Sequence, residues 1–215
     1  MRLNLGSGHS AIDGWTSIDR SPSIFLDRIP GSKRLLRSLH VIDDSQAKRW
    51  DPAVIRADIR RLPYADATVD AIYSSHALEH LYFDDARAVL VESYRVLRPG
   101  GVIRLALPDC ESHARELVDA LAGNASSADA ALAVRVYNEK LLAFPSAKPR
   151  GLDAVKRAVG GHIHRWQPMY PLVRSMLEEI GFASVTRCVF QEGRTPNLRD
   201  IETRAESFFV EGEKA

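Results

Sequence analysis

Two cysteines in 215 residues, Cys110 and Cys188, are too few and too far apart to staple a small fold or build a zinc knuckle, so both are expected as free, buried thiols. Charge of one sign is missing as well. The 29 lysines and arginines stand against 28 aspartates and glutamates, mixed along the whole chain, for a net charge of +1. That removes the global basic footprint of a nucleic-acid binder. No run approaches the roughly eighteen consecutive apolar residues of a membrane span. The N-terminus reads as a strand and not as a basic-then-apolar leader, so a cytoplasmic protein is expected. Aromatic residues make up only 7%, and no internal repeat is visible. The length suits one α/β domain over 1–215, large enough to bury a sizeable core.

What is present begins at once. Leu3 and Leu5 alternate with polar residues and run into Gly6-Ser7-Gly8, a strand passing into a glycine turn of the kind that lets backbone approach a ligand. Trp15 to Asp19 reads as a second short strand ending in an acid. Residues 28–50 are basic around Leu35, Leu36, Leu39 and Ile42, which suggests a short amphipathic helix with a solvated basic face; a basic wall suited to an anionic substrate is the alternative. Val54–Ile59 and Val69–Ser75 read as strands three and four. A helix N-capped by Asp84 or Asp85 carries the stripe Ala86, Val89, Leu90, Tyr94 and Leu97 and is stopped by Pro99-Gly100-Gly101. Val102–Leu107 gives strand five. Residues from about 111 to 160 are alanine-rich and broken by glycine and proline, as expected of a helical insertion over the sheet's carboxyl edge. A helix with Leu172, Met176, Leu177 and Ile180 then precedes strands at Phe182–Phe190 and Ser207–Val210. Strands alternating with helices at these lengths imply a doubly wound, mostly parallel sheet.

Three features could carry chemistry. His76-Ala77-Leu78-Glu79-His80 matches H-x-x-E-H, an inverted zinc-peptidase signature. That motif belongs inside a helix, whereas His76 directly follows a strand, and no third ligand from a partnered helix is evident. No metal ligands are therefore assigned, and His80 is read as structural. His162 and His164 alternate in an extended segment, so they share a side; they are either loop histidines bonded to backbone or bases at a substrate. Asp109, just past strand five, is either a turn cap or a pocket acid.

Taken in order, Asn4-Leu5-Gly6-x-Gly8, Gly14-Trp15-x-x-x-Asp19, Asp58-x-x-x-Leu62-Pro63, Ser75-His76-x-Leu78-Glu79-His80-Leu81 and Arg95-Val96-Leu97-x-Pro99-Gly100-Gly101 resemble the class I S-adenosylmethionine-dependent methyltransferases of the small bacterial type. The resemblance implies a Rossmann-like, doubly wound, seven-stranded sheet with an antiparallel last strand, and S-adenosylmethionine as cofactor. Carried over residue by residue, Asn4, Gly6, Ser7 and Gly8 would lie at the methionine end, although the family more often has an acid where Asn4 stands. Asp19 would accept from the ribose hydroxyls. Asp58 would accept from the adenine amino group, with the Ile59 amide on the ring, and Ser74 and Ser75 would flank the reactive methyl. The Asn-Pro-Pro-Tyr mark of nucleic-acid amino-methylating relatives is absent.

The expected reaction is O-methylation of a small polar acceptor, a sugar hydroxyl or an anionic metabolite. The candidate bases are His162, His164 and His76, in that order, with Asp109 assisting. Magnesium at Asp109 and a neighbouring acid is not demanded by any spacing, and a homo-oligomer is compatible with the sequence. Two other readings stay open. One is a nicotinamide oxidoreductase using Gly6-x-Gly8-x-x-Ala11, although Asp19 follows too soon for a ribose acid expected about 20 residues on. The other is a non-catalytic binding module.

Overall fold

The computed structural model describes residues 1–39, 42, 47–124, 126–137 and 164–215. Strand β1 (Arg2–Leu5) is the first laid down and sits at the centre, with β2 (Thr16–Asp19) and β3 (Ile55–Arg56) on one side. On the other lie β4 (Val69–Ser75), β5 (Leu97–Pro108), β7 (Ser207–Lys214) and β6 (Phe182–Cys188), giving the order β3-β2-β1-β4-β5-β7-β6. The first five strands are parallel, and β7 runs antiparallel between β5 and β6. This is the seven-stranded, mostly parallel α/β sheet that the resemblance implies. The chain turns outward in both directions from β1 and β4, so their carboxyl ends flank the crevice where such sheets take ligands.

Burial on both faces explains the central strands. Leu3, Leu5, Ile72, Ile103, Leu105 and Leu107 are at most 1% exposed. Helix α2 (Phe83–Val96), whose range lies between β4 and β5, buries Ala86, Val89, Leu90, Ser93 and Val96 on one face. Its N-cap is Tyr82, so Asp84 and Asp85 lie in the first turn, where carboxylates favour the helix dipole, and not at the cap. The helix ends before Leu97. Pro99-Gly100-Gly101 is a loop-out in the first residues of β5, where the register slips between Val69↔Leu97 and Ala71↔Val102. A Cβ on Gly101 would lie 2.8 Å from the Arg98 carbonyl.

Other elements depart from the sequence pattern. The basic segment forms a 3-10 turn (Pro22–Arg28) and a short helix, α1 (Ser32–Ser38). The expected faces hold only in part: Arg34 and Arg37 are exposed and Leu36 is half-buried, but Lys33 is buried, and Leu35 and the C-cap Leu39 are 59% and 56% exposed. Lys33 is drawn inward because its ammonium pairs with Asp27 at 2.9 Å and donates to the Lys48 carbonyl. Strand β3 keeps only two residues of the expected run. Of the expected insertion, α3 (Cys110–Asp119) and α4 (Ser127–Val136) are seen, capped by Asp109 and Ser126. In α5 (Tyr170–Ile180) the buried set is Val173, Met176 and Leu177, and Leu172 faces out. Cys110 is a buried free thiol, pushed up to about 11 by desolvation, while Cys188 is only half-buried. Among the described residues no helix is long and apolar enough to cross a membrane.

Candidate cofactor and acceptor site

The glycine turn after β1 has a steric cause. Gly6 and Gly8 both lie at positive φ, 69° and 61°. A Cβ on Gly6 would stand 2.3 Å from the Ala77 Cβ, whereas one on Gly8 would meet nothing within 4 Å. Gly6 therefore lets the loop after β4 close against it, and Gly8 borders open space. The turn is held from β2, with the Gly6 and Ser7 amides donating to the Ile18 carbonyl at 2.8 and 3.1 Å. Asn4 is buried beneath it. Its amide donates to the Ser17 hydroxyl at 3.3 Å, which accepts from the Ile12 amide at 3.2 Å. Asn4 thus ties β1 to β2 and does not itself line the crevice.

That crevice is a cavity of about 610 Å³, within the roughly 300–1,000 Å³ typical of small-molecule sites. Gly6, Ser7, Gly8 and Asp19 form one wall, and Asp58, Ile59 and Arg60 another. Asp19 accepts from the Gly8 amide at 2.9 Å and from the Ser21 amide at 2.7 Å, which fixes its carboxylate at the end of β2. Asp58 is held at about 2 chiefly by the Arg60 guanidinium, which outweighs its partial burial. Four donors already reach it: the Arg60 amide, Nε and Nη2, and Arg20 Nη1 at 3.2 Å. A carboxylate offers about four acceptor positions. A further donor must displace one of these, and the longest contact, from Arg20, is the natural one to yield.

The residues fit S-adenosylmethionine in the sense the chemistry requires. A glycine cradle that a Cβ would disrupt stands beside a fixed carboxylate for a diol and a second carboxylate for an amine. They do not fit a nicotinamide dinucleotide, because no helix follows Gly8 to receive a pyrophosphate.

Three histidines belong to the same lining. Ser75, His76, Ala77, His80, Leu81, His164 and Arg204 line the same cavity. His76 leaves β4 at positive φ, 48°, and its Nε2 hydrogen-bonds the Ser207 hydroxyl at 2.7 Å. Its Nδ1 lies 3.3 Å from Glu79 Oε1, and His80 Nε2 lies 4.0 Å from the same oxygen. Glu79 is 0% exposed, and neither carboxylate oxygen has a hydrogen-bond partner among the described residues. His164 packs edge-on against the His80 ring, centroids 5.1 Å apart. Desolvation lowers its pKa against the pull of the Glu79 carboxylate, which favours neutral imidazole.

Residues 164–166 are tied to the turn Leu78–His80 (a 3-10 turn following β4) by three bonds. The Arg165 amide donates to the Glu79 carbonyl at 2.8 Å, Arg165 Nε to the His80 carbonyl at 3.1 Å, and Trp166 Nε1 to the Leu78 carbonyl at 3.0 Å.

The expected site residues thus divide. Gly6, Ser7, Gly8, Asp19, Asp58, Ile59, Ser75, His76 and His164 meet at one cavity. Asn4 and Ser74 do not line it. Ser74 is buried and donates to the Leu5 carbonyl at 3.0 Å, tying β4 to β1. Asp109 caps α3, accepting from the Ser112 amide at 3.3 Å, with Arg187 at 3.8 Å, and is also outside the lining. His162 lies outside the described residues. The H-x-x-E-H motif is not helical: a 3-10 turn spans only Leu78–His80. The sequence reading missed Arg20, Arg60, Ala77 and Arg204, and took His80 as structural. Arg60 could have been found from its place two residues after Asp58. Nothing local singles out Arg204.

Comparison with known proteins agrees with this geometry. A family model described as a methyltransferase domain matches residues 32–105. An O-methyltransferase of Aspergillus nomiae is 33% identical over 107 residues, half of this chain and 44% of that protein. A malonyl-[acyl-carrier protein] O-methyltransferase of Laribacter hongkongensis is 42% identical over 74 residues, 34% of this chain and 23% of its own. A ubiquinone/menaquinone biosynthesis C-methyltransferase of Desulfotalea psychrophila is 48% identical over 44 residues, 20% of this chain and 17% of its own. In each case the chain spans less than half the length of the relative.

Proposed function

We propose that this chain is a class I S-adenosylmethionine-dependent methyltransferase, as the matched methyltransferase domain model and the sheet order support, and that it transfers a methyl group to the oxygen of a small, polar, sugar-like acceptor. The observation that carries the reading is one cavity lined together by the Gly6–Gly8 turn, the Asp19 and Asp58 carboxylates and three histidines. When bound, S-adenosylmethionine supplies the methyl group, already activated on a sulfonium. The chain's tasks are to hold, align and deprotonate. The Gly6–Gly8 turn offers backbone, and Asp19 accepts from a diol. Alignment of this kind can supply roughly 7–11 kcal/mol.

A hydroxyl acceptor must also lose its proton, and a positioned base contributes typically 10²–10⁴-fold. His76 and His164 both face the cavity. His76 is one candidate base, with Nε2 on Ser207 and Nδ1 beside Glu79, so it would take the proton through the Ser207 hydroxyl or after releasing one contact. His164, kept neutral by burial, is the second candidate. The lining has no phenylalanine, tyrosine or tryptophan among the described residues, which supports a hydroxyl-rich acceptor over a flat aromatic one.

A second reading rests on Arg204. Its exposed guanidinium lines the cavity yet makes no hydrogen bond or ion pair among the described residues. It would suit an acceptor carboxylate, which needs no base, and the malonyl relative is named for O-methylation as well.

Calorimetric titration with S-adenosylmethionine, its demethylated product and NAD tests the cofactor: the first two should bind and NAD should not. Failure of both sinks the reading. Methyl transfer to a panel of sugars and short carboxylic acids then separates acceptors, since a methyl ester is released by mild alkali and a methyl ether is not. Binding without turnover on any acceptor would favour a non-catalytic module.

A further inference from the structure

A buried carboxylate without a hydrogen bond is expensive. Desolvation of an ionised group costs several kcal/mol unless an opposite charge or a metal compensates it. Glu79 is in that position, fully buried with both oxygens unbonded. The groups facing it are the imidazoles of His76, His80 and His164 and the Cys110 thiol, which is itself pushed up by burial and by the charges of Asp109 and Glu79. No lysine or arginine is paired with its carboxylate among the described residues.

We propose that Glu79, His80 and His164 form a divalent-cation site of the zinc class on the acceptor side of the cavity. One ligand atom from each of the three residues lies within 4.8 Å of the others. Ligands at about 2.0–2.2 Å around a tetrahedral zinc stand roughly 3.3 Å apart, so closing on one ion takes side-chain adjustments of an ångström or so. The backbone is already set, because the bonds from Arg165 and Trp166 pin the segment carrying His164 to the turn carrying Glu79 and His80.

Two imidazoles and one carboxylate select zinc or its first-row neighbours over magnesium and calcium, which take oxygen ligands. A site with three protein ligands keeps a fourth position open, as catalytic zinc sites do. Since His80 and His164 line the cavity, that position faces it.

His76 is not among the three. It stays beside Glu79 with Ser207 on its other nitrogen, placed to orient the carboxylate. A cation there would draw acidity out of an acceptor hydroxyl by Lewis-acid action. Only this catalytic use rests on the methyl-transfer reading; the binding site does not. Sequence order alone cannot reveal the set, because His164 lies beyond the insertion from the H-x-x-E-H motif that supplies the other two.

The test uses the full chain, stripped with a chelator and titrated with Zn²⁺ by calorimetry and with Co²⁺ by visible absorption. One equivalent should bind, and the Co²⁺ form should show the strong visible bands of tetrahedral coordination. Glu79→Gln and His164→Ala should each weaken binding by at least about 100-fold, more than the 10–100-fold typical of lost outer-shell partners. His113→Ala, on exposed α3 beside Glu116, should bind normally. Absence of a tight equivalent in the wild-type chain, or unchanged affinity in both Glu79→Gln and His164→Ala, overturns the site. Titrating demethylated cofactor into the same samples keeps the two readings apart. Cofactor binding without metal removes the cation site alone, and metal binding without cofactor removes the methyl-transfer reading alone.

Discussion

Glu202 and Glu79 are equally far from water, at 1% and 0% exposure, and the fold treats them in opposite ways. Glu202 (just past α6, Leu198–Ile201) faces Arg104 of β5, whose Nε and Nη2 donate to its two oxygens at 2.7 and 3.0 Å. The remaining edges of Arg104 donate to the carbonyls of Glu192 and Val189, both at 2.9 Å, and Glu211 adds a second carboxylate at 3.6 Å. Glu202 also accepts from the Gln191 amide at 2.6 Å. That cluster satisfies its carboxylates internally, Glu211 accepting from the Arg194 and Thr195 amides as well, and lines no part of the cavity. The Glu79 cluster holds a carboxylate among three imidazoles with its hydrogen bonds unmade among the described residues, and all three imidazoles open onto the cavity. A closed network stabilises one structure, whereas an open one keeps capacity for something that arrives.

The largest effect should come from breaking the closed network. Arg104→Met leaves Glu202 buried and unpaired, and urea unfolding should show a loss of about 3–5 kcal/mol, with cofactor affinity of the folded fraction unchanged. A loss under about 1 kcal/mol would erase the contrast.

On the cavity side the cost should fall on binding. Asp19→Ala should weaken cofactor affinity by about 10–100-fold, as expected for charge-assisted bonds worth 1.5–3 kcal/mol. Calorimetry would read this, and an unchanged affinity would move the ribose contact elsewhere, with Asp27 the next acid to try.

Glu79→Gln should then be the mild counterpart of Arg104→Met in stability. It removes a buried charge without orphaning a partner, so unfolding free energy should hold within about 1 kcal/mol or rise. A loss near that of Arg104→Met would mean that Glu79 is a structural ion after all.

Smallest of all is the acid response. Burial lowers the pKa of His9 and of His164 from 6.5, so just below that value the unfolded chain binds more protons than the folded one. Stability therefore rises with pH there: their contribution is fully present above 6.5 and is lost as pH falls through the lowered folded values. Urea midpoints should drop between about pH 7.5 and 5.5, and the double variant His9→Gln, His164→Gln should flatten that slope. An unflattened slope would assign it to other groups.

Much of this was legible in the chain. The strand-glycine turn, the acids closing β2 and following β3, the α2 stripe and the antiparallel end of the sheet all follow from period, turn chemistry or motif order. The errors share a cause. Ser74 was placed at the ligand by its position at a strand end, but alternation along β4 turns its side chain to Leu5 and leaves Ser75 at the cavity. Lys33 was assigned to solvent by its charge, but Asp27 and the Lys48 carbonyl draw it inward.

The sequence by itself determined the central strands, the strand-to-glycine turn and the family likeness, because these depend on neighbours a few residues apart; that position 6 has no room for a side chain was decided by Ala77, from a distant part of the chain. Only the tertiary structure decided that Glu79 is buried without a hydrogen bond among the described residues, and that His164, far along the chain, is brought to it. Desolvation and partner choice depend on what packs around a group, and those atoms come from distant parts of the chain.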